Sequence, residues 1–556
     1  MIRLTNLQIP LEAITKQNPD GKTVPVETIT AFIAKRLKIS LPQIKETTLL
    51  KQGIDARRFK GAPLSFVFAV EVRLVDAAVE TDVLRRFARD KDITAASSAQ
   101  DENFAVPQVA ANAKATRQRP VVVGFGSAGM FAALALARAG LSPIILERGD
   151  DVDKRTQKVQ NFWHGGELDE NSNVQFGEGG AGTFSDGKLT SRGGGKLAQN
   201  IVQTFVKFGA PPEIAISAKP HIGTDKLKTV VKNIRREIIR LGGQVRFNAR
   251  VTDFIIDNGK TTAVIIGDDE QIFATAVFLA VGHSARDTYE RLAQKKVAME
   301  AKAFAVGFRI EHPQELIDRA RYGKDAENPL LPPADYMLTY KDSSKRGVYT
   351  FCMCPGGQTV AAASEKNGVV TNGMSYFARN SGVANAAILT QVNPADFGAN
   401  DALSGVRFQR EIERRSFNLA GGDYAAPVSS VGDFLQETSG AQNFLVTPTY
   451  LPTVKSVDLR QCLPDFVLKP IRHALTFWDK QLAGFAAQDA PIIAPEVRSS
   501  SPVRLLRDKD NFCSVNTEGL YPIGEGAGYS GGIVSSAADG IRAAKHYIET
   551  LIKNSV

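Results

Sequence analysis

The sequence predicts a multidomain α/β protein preceded by a small α+β domain. Three observations support this. At 556 residues the chain is longer than one hydrophobic core usually serves. A run from Val121 to Glu147 reads strand, glycine turn, helix, strand. The first hundred residues read β-α-β-α. The composition, 43% hydrophobic and 23% charged, is that of an ordinary globular protein.

Taking the elements in order, MIRLTNLQIPL reads as a strand and VETITAFIAKRLKI as a helix with apolar residues at helical spacing. LSFVFAVEVRL is a second strand and VETDVLRRFARD a second helix. They give a domain over residues 1–105, for which a ferredoxin-like arrangement is one option. The polar, alanine-rich stretch at 106–119 reads as a linker. From 120 to 300 an α/β domain is expected, with a helix near 225–242 and strands in VRFNARVTDFIID, TTAVIIG and QIFATAVFLAVG. Residues 301–500 mix strands (AFAVGFRIE, YMLTY, GVYTFCMC, QTVAAAS) with a helical insertion that includes RFQREIERRSF and ALTFWDKQLAGFAA. Residues 501–556 return to a glycine-rich loop and a helix.

The net charge of +9 is spread widely. Two basic clusters, Lys51 with Arg57, Arg58 and Lys60, and Lys114 with Arg117 and Arg119, read as solvated faces, so nucleic acid is disfavoured as a partner. Four cysteines do not make a disulfide framework and point to a reducing compartment. The N-terminus lacks a basic, apolar, small-residue signal pattern, and a cytoplasmic location is expected. The apolar run Val121–Leu146 has the length of a membrane span, but Gly124, Gly126, Gly129, Arg138, Gly140 and Pro143 break it, and no membrane role is expected.

RPVVVGFGSAGMFAALALARAGLSPIILERG is the main evidence for function. Gly124-Phe125-Gly126-Ser127-Ala128-Gly129 is a G-x-G-x-x-G turn between a buried strand and a helix. Gly124 allows the tight turn, Gly126 lets the backbone approach a pyrophosphate, and Gly129 lets helix pack on strand. The helix N-terminus offers free N–H groups to phosphate. Glu147, about twenty residues on, is placed to accept from ribose hydroxyls and would repel a 2′-phosphate. Gly177-Gly179-Gly182 and Gly526-Gly528-Gly531 match the same spacing without that full context.

Those two loops bear on which dinucleotide is bound. VQFGEGGAGTFSDGKL packs Gly177, Gly179, Gly180, Gly182 and Gly187 with Ala181 around Thr183, Ser185 and Asp186. NAD alone needs one glycine turn. FAD extends a ribityl chain and a ring system beyond the pyrophosphate, and further backbone donors at 177–187 and 524–532 suit that extension. The loop's glycines are therefore expected to lie against flavin and pyrophosphate, with Thr183, Ser185 or Asp186 near the ring.

With these motifs the chain resembles the two-dinucleotide-binding-domain flavoproteins, of glutathione-reductase and aromatic-hydroxylase type. More closely, it resembles bacterial uncharacterised FAD-dependent dehydrogenases, also called NAD(P)/FAD-dependent oxidoreductases. NVQFGEGGAGTFSDGKLTSR, AVGFRIEHPQ, FCMCPGGQTVAAAS, VVTNGMSYFAR and GLYPIGEGAGYSGGIVSSAADG carry the closer likeness, which spans the chain from about Ile2. It implies a Rossmann-like FAD-binding domain in two parts, 120–300 and 501–556, with a mixed β/α substrate domain between them. It also implies that Glu147 binds the adenosine ribose with Arg148 beside it, and that Val251 holds adenine through its backbone. Ala280 and Gly282 would belong to a loop near the cofactor, with Val281 where a hydroxyl residue is usual. Gly524 and Glu525 would face the ribityl chain, with Glu in place of the usual Asp. Ser530, Gly531, Gly532 and Ile533 open a helix whose N–H groups would favour negative charge on the reduced ring.

Catalytic residues are less legible. Cys352 and Cys354 are two apart in a strand and so share a face, but C-x-C closes poorly into a disulfide. No second Cys/His pair suggests a metal. His283 is a candidate proton donor, and Arg379 either binds an anionic substrate or makes a surface ion pair. His164, in NFWHGGE just before the glycine loop, is a candidate on the same footing as His283. No second complete NAD(P)H-binding unit is seen, so NAD(P)H would serve only as a transient reductant. The expectation is an FAD-dependent oxidoreductase passing a hydride between a small-molecule substrate and flavin N5. The alternatives are a flavin monooxygenase or transferase, or a non-catalytic FAD sensor that binds RNA or protein through the N-terminal domain. That domain is otherwise a candidate for protein contact or oligomerisation.

Overall fold

The computed structural model describes residues 1–17, 21, 23–57, 63–96, 105–109, 118–191, 195–343 and 345–554. Arg58, Lys60, Lys114, Arg117 and most of the expected linker lie outside these residues. Two compact units are present.

The first unit comprises 1–103 with two later segments, 211–220 and 317–334. Its four strands lie in the order Ile44–Asp55, Ser65–Leu74, Ile2–Pro10, Ile93–Ala95, antiparallel throughout. A short helix, Leu11–Gln17, follows the first strand, and helices Val26–Leu37 and Ala77–Arg86 complete what is, apart from that short helix, a β-α-β-β-α-β order. The sequence reading omitted the strands at 44–55 and 93–95. The first has no fully buried residue and two register shifts, so it shows no period-2 pattern. The reading also confined this domain to 1–105. Gln52 exchanges backbone hydrogen bonds with Ile216 (2.6 Å) and Ala218 (2.7 Å), and Asn328 donates to Thr15 (3.1 Å), which draws the later segments in.

The second unit holds everything else. Its centre is a five-stranded parallel sheet in the order Leu520–Pro522, Val277–Leu279, Val121–Val123, Ile144–Leu146, Gln244–Arg246. The 121–123 and 277–279 strands are fully buried, which is why they read as unbroken apolar runs. After Val123 the chain moves to one side of the sheet, and the 277–279 strand joins the other. The crevice beyond the carboxyl ends of these two strands is therefore a topological switch point, where ligands bind in open α/β sheets.

Two helices cover that crevice. Ser127–Arg138 is buried from Ala128 to Ala137, and Ile533–Lys553 packs against it so closely that a Cβ on Gly540 would lie 2.2 Å from the Ala128 carbonyl oxygen. A seven-stranded mixed sheet adds the remaining wall, in the order Thr339–Lys341, Gly347–Cys354, Val383–Val392, Phe304–Pro313, Pro491–Glu496, Ala426–Ser430, Val454–Ser456. In the helical insertion, Ser404–Leu419 and Asp465–Asp479 are helices, but LAGFAA lies beyond the second. Gly484, at φ +85°, adopts a backbone conformation that a helix does not. None of the described helices is long and apolar enough to cross a membrane.

Candidate functional site

A cavity of about 980 Å³ opens at the switch point. It has two walls of different chemistry.

The first wall is backbone. Gly124 turns at φ +97°, and a Cβ there would sit 2.4 Å from the Ala280 carbonyl oxygen. A Cβ on Gly129 would lie 2.0 Å from the Gly124 oxygen, so Gly129 is a packing residue beneath the cavity and does not line it. Gly126 caps the Ser127 helix without a side-chain acceptor, and Gly532 does the same for the Ile533 helix. Both helix openings line the cavity and leave their first-turn N–H groups without intrahelical partners. A Cβ on Gly182 would touch Ile533 (3.2 Å) and approach the Ser127 hydroxyl (3.9 Å), so the two openings are close neighbours. The Leu520–Pro522 strand and Ile533 helix flank the 526–531 glycines, a partial copy of the first motif's context.

Glu147 is buried at the end of its strand. Its carboxylate accepts from the backbone N–H groups of Phe125 (2.7 Å), Gly149 (3.0 Å) and Gly177 (2.9 Å), which fixes it at the cavity. Arg148 pairs with Asp287 (2.8 Å) and covers the Phe176 ring at 4.3 Å. Val251, Ala280, Gly282 and Ser530 also line the cavity.

The 177–187 loop is a chain of bends with a 3₁₀ turn at Ala181–Phe184. Gly179, Gly180, Ala181, Gly182 and Ser185 line the cavity, but several glycines serve the protein itself. A Cβ on Gly177 would lie 2.4 Å from Arg155, on Gly179 2.1 Å from the Thr183 hydroxyl, and on Gly180 2.9 Å from Gly126. The organiser is Arg155, which sequence reading missed. Fully buried, it donates to the carbonyls of Asn173 (2.8 Å), Val174 (2.9 Å) and Glu178 (2.7 Å). Three placements need correction. Thr183 is buried, donates to the Glu178 carbonyl (3.3 Å) and does not face the cavity. Gly524 packs on Ala128, gives its N–H to Asp539 (2.8 Å) and does not line the cavity. Arg379 is no surface ion pair: it is mostly buried and grips Asp186 at 2.6 Å.

Where the walls meet, Glu525 and His283 face each other, with Nδ1 3.8 Å from Oε1. Burial pushes Glu525 up to about 7, opposed by Lys302. Burial, reinforced by Arg498 and Arg286, pushes His283 down to about 3. The neutral ring leaves Nε2 buried without a hydrogen-bond partner among the described residues, although the Arg498 carbonyl is near the ring.

The second wall is side chains. Asp186 accepts from Lys188 (2.7 Å), Arg379 (3.1 and 2.6 Å) and Ser375. Burial pushes this carboxyl up, but Lys188 and Arg379 outweigh it and hold it well below the usual carboxylate range. Lys188 also donates to the Met353 carbonyl. Cys352 opens onto the cavity at a bulge, with φ 43°, and Cys354 is buried beside it, its thiol donating to the Cys352 carbonyl (3.2 Å). Both are free thiols and both are raised above the ordinary thiol value, Cys354 by its burial and Cys352 by the protein around it although its side chain opens to the cavity. Glu496 faces the cavity and takes both arms of buried Arg309 (3.0 Å each). Arg498 lines the wall, donating to Glu413 (2.8 Å twice) and Ser284 (3.1 Å). Arg286 shares Glu413 (2.6 Å) and adds Glu365 (2.8 Å). Lys188, Glu496 and Arg498 were not singled out from sequence. His164 lies at the exposed end of its helix, bonded to the Gln160 carbonyl (2.7 Å), and does not line the cavity.

The residues fit a flavin dinucleotide on observations of their own. A Cβ on Gly282 or Gly531 would meet nothing within 4 Å, so at these two positions glycine leaves room in the cavity. Two uncapped helix openings suit phosphate at one point and an electron-rich ring edge at the other.

Residues 303–499 match the family described as "FAD-dependent protein, C-terminal domain-like". Residues 1–72 match a domain of unknown function, DUF8436. An uncharacterized protein of Clostridium beijerinckii is 46% identical over 521 residues, covering 93% of this chain and 95% of that one. The chain belongs to the family of that clostridial protein. FAD, named in the description of the 303–499 domain, is this family's cofactor. Among solved structures, an FAD complex of glycerol-3-phosphate dehydrogenase from Bacillus halodurans is similar at TM-score 0.34 and 12% identity. That likeness covers 80% of this chain and 66% of that chain. An FAD complex of a variant of the halogenase PltM is similar at 0.38 and 10%, covering 79% and 71%. Scores this low carry no argument about chemistry.

Proposed function

We propose that this protein is an FAD-dependent oxidoreductase acting on a small organic substrate, with NAD(P)H as a transient reductant. One observation supports this above all. Two uncapped helix openings and two glycines facing open space share one cavity with a wall of charged and aromatic side chains. A cofactor that needs main-chain donors and a substrate that needs side-chain recognition would then meet in one chamber. FAD, when bound, supplies two-electron redox chemistry at its ring.

The chain's own part is binding, orientation and proton handling. N–H groups of Ser127 and Ala128 would hold phosphate, Glu147 would add a ribose contact to its three backbone bonds, and Val251 would border adenine. N–H groups at Ile533 would set positive charge against the ring edge. Glu525, pushed up to about 7, can hold or release a proton near neutral pH. His283 stays neutral there. The two thiols, both pushed up, do not supply thiolates at neutral pH. Four free cysteines suit a reducing compartment such as the cytoplasm. For the first unit, we read the β-α-β-β-α-β order as ferredoxin-like, with a role in protein contact or oligomerisation. Among the described members of the basic clusters, Arg57 is paired with Asp55 (2.7 Å) and Arg119 donates to the Ser142 carbonyl (2.5 Å).

The test is anaerobic mixing of the yellow protein with NADH, then NADPH, with visible absorbance followed, and reoxidation under a panel of acceptors while oxygen is monitored. Bleaching by either nucleotide supports the nicotinamide-linked reading. Failure of both removes it. Reoxidation by oxygen alone, with oxygen incorporated into product, would replace the dehydrogenase reading by the monooxygenase one.

A further inference from the structure

The second wall carries an imbalance of charge. Lys188 and Arg379 are both cations and share one carboxylate, Asp186. Burial alone would lower the Lys188 ammonium, but Asp186 outweighs it and holds the group above its ordinary value, so it stays charged. The rest of the described wall is balanced. Arg309 is matched by Glu496, and Arg286, Arg498 and Arg410 are matched by Glu413, Glu365 and Glu290. His221 beside Arg379 is uncharged at neutral pH, because burial and then Arg379 lower it. It stacks on Phe377 and bonds the Phe377 carbonyl at 3.0 Å. Both thiols are neutral. One positive charge is left over.

Of the Lys188–Asp186–Arg379 trio, Lys188 and Asp186 line the cavity and Arg379 does not; the Lys188 side chain is 36% exposed. An ammonium has three donors. Asp186 and the Met353 carbonyl take two of them. The third is available to a ligand. Thr190, Ser191 and Asn372 give the same cavity neutral hydrogen-bonding groups. Tyr349 and Phe351, edge-to-face with centroids 6.3 Å apart, give it an apolar surface.

We propose that this wall is a carboxylate-binding subsite, anchored by Lys188, for a substrate that is a monoanionic organic acid with an apolar body. A single surplus charge matches a carboxylate; a phosphate dianion would leave one charge unpaired. The proposal rests on the redox reading for the word substrate, but the binding site stands on the wall alone.

The experiment is calorimetry on the purified full chain with benzoate and hexanoate, each against its amide, for the wild type, Lys188→Met and Lys188→Arg. In the wild type each acid should bind at least ten-fold more tightly than its amide. Lys188→Met should erase that preference, and Lys188→Arg should keep most of it. Equal binding of acid and amide, no binding of either acid, or a preference that survives Lys188→Met would each overturn the proposal. Should Lys188→Met fail to fold, the wild-type comparison still decides. Visible absorbance of the same samples separates the two readings. Yellow protein without a preference defeats the subsite alone, and colourless protein with the preference defeats the flavin reading alone.

Discussion

The two walls of the cavity solve different recognition problems. Along 124–128, 179–182 and 530–533 the lining is main chain, and side chains are removed so that N–H groups can be reached. Along 186–191, 349–354 and 496–498 the lining is side chains held by buried charge pairs. A main-chain surface has a fixed shape and suits a ligand that does not change. A side-chain surface can be altered residue by residue and suits the ligand that gives an enzyme its specificity. The glycines show the distinction within one wall. Gly124, Gly129 and Gly180 are required by neighbouring backbone, and Gly282 by its own φ of +74°, while Gly531 has neither a positive φ nor any atom within 4 Å of its Cβ position.

The largest expected effect lies behind the second wall. Glu413→Ala removes the carboxylate that Arg286 and Arg498 share, leaving buried guanidiniums short of a partner. Denaturant unfolding should show a loss of about 3–5 kcal/mol. A loss under about 1 kcal/mol, the range of an exposed pair, would mean the wall is not held by this network.

The next effect lies where the walls meet. Glu525 binds its proton up to about pH 7 when folded, against an ordinary value of 4.5. Its folded value is raised, so the native state holds the proton where the unfolded chain has lost it. The protein should therefore lose stability as pH rises from about 4.5 to 7, with a ceiling of about 3 kcal/mol from this group. Glu525→Gln should match the wild type near pH 4.5 and exceed it at pH 8 in thermal melts. Parallel pH profiles would show that the carboxyl is not desolvated.

The first wall is tested by filling it. Gly531→Val adds a side chain where no atom lies within 4 Å. The apoprotein should melt as the wild type does, while FAD binds at least ten-fold more weakly by calorimetry, about 1.4 kcal/mol. The same change at Gly129, whose Cβ would lie 2.0 Å from a carbonyl oxygen, should lower stability before any ligand is added. Equal behaviour of the two variants would erase the distinction between the two kinds of glycine. The smallest effect is expected from Cys352→Ser with Cys354→Ser. With both thiols pushed up, the rate of flavin reduction should be unchanged, and a large loss would make them redox partners.

Sequence disclosed the first wall far better than the second, for a physical reason. Val121–Glu147 encodes strand, turn, helix and acid within thirty residues, so each constraint is local and leaves a local trace. The second wall is assembled over long separations: Lys188 meets Met353, Arg309 meets Glu496, and Arg286 meets Glu413. An isolated Lys or Arg carries no mark of the partner it will find, although Lys188 lay within the loop that drew attention. Thr183 shows the reverse failure. A hydroxyl among glycines suggested a ligand contact, but it turns inward to the Glu178 carbonyl. In the first unit, the strand at 44–55 has no fully buried residue and so gave no alternating pattern.

The central claim is that main-chain donors from distant segments enclose one FAD. Titrating FAD into apoprotein stripped of any bound flavin, by calorimetry with visible absorbance in parallel, tests it directly. The account predicts saturable heat at one FAD per chain and a yellow product with a perturbed flavin spectrum. Absence of heat, with flavin that stays free and a protein that stays colourless, would contradict it.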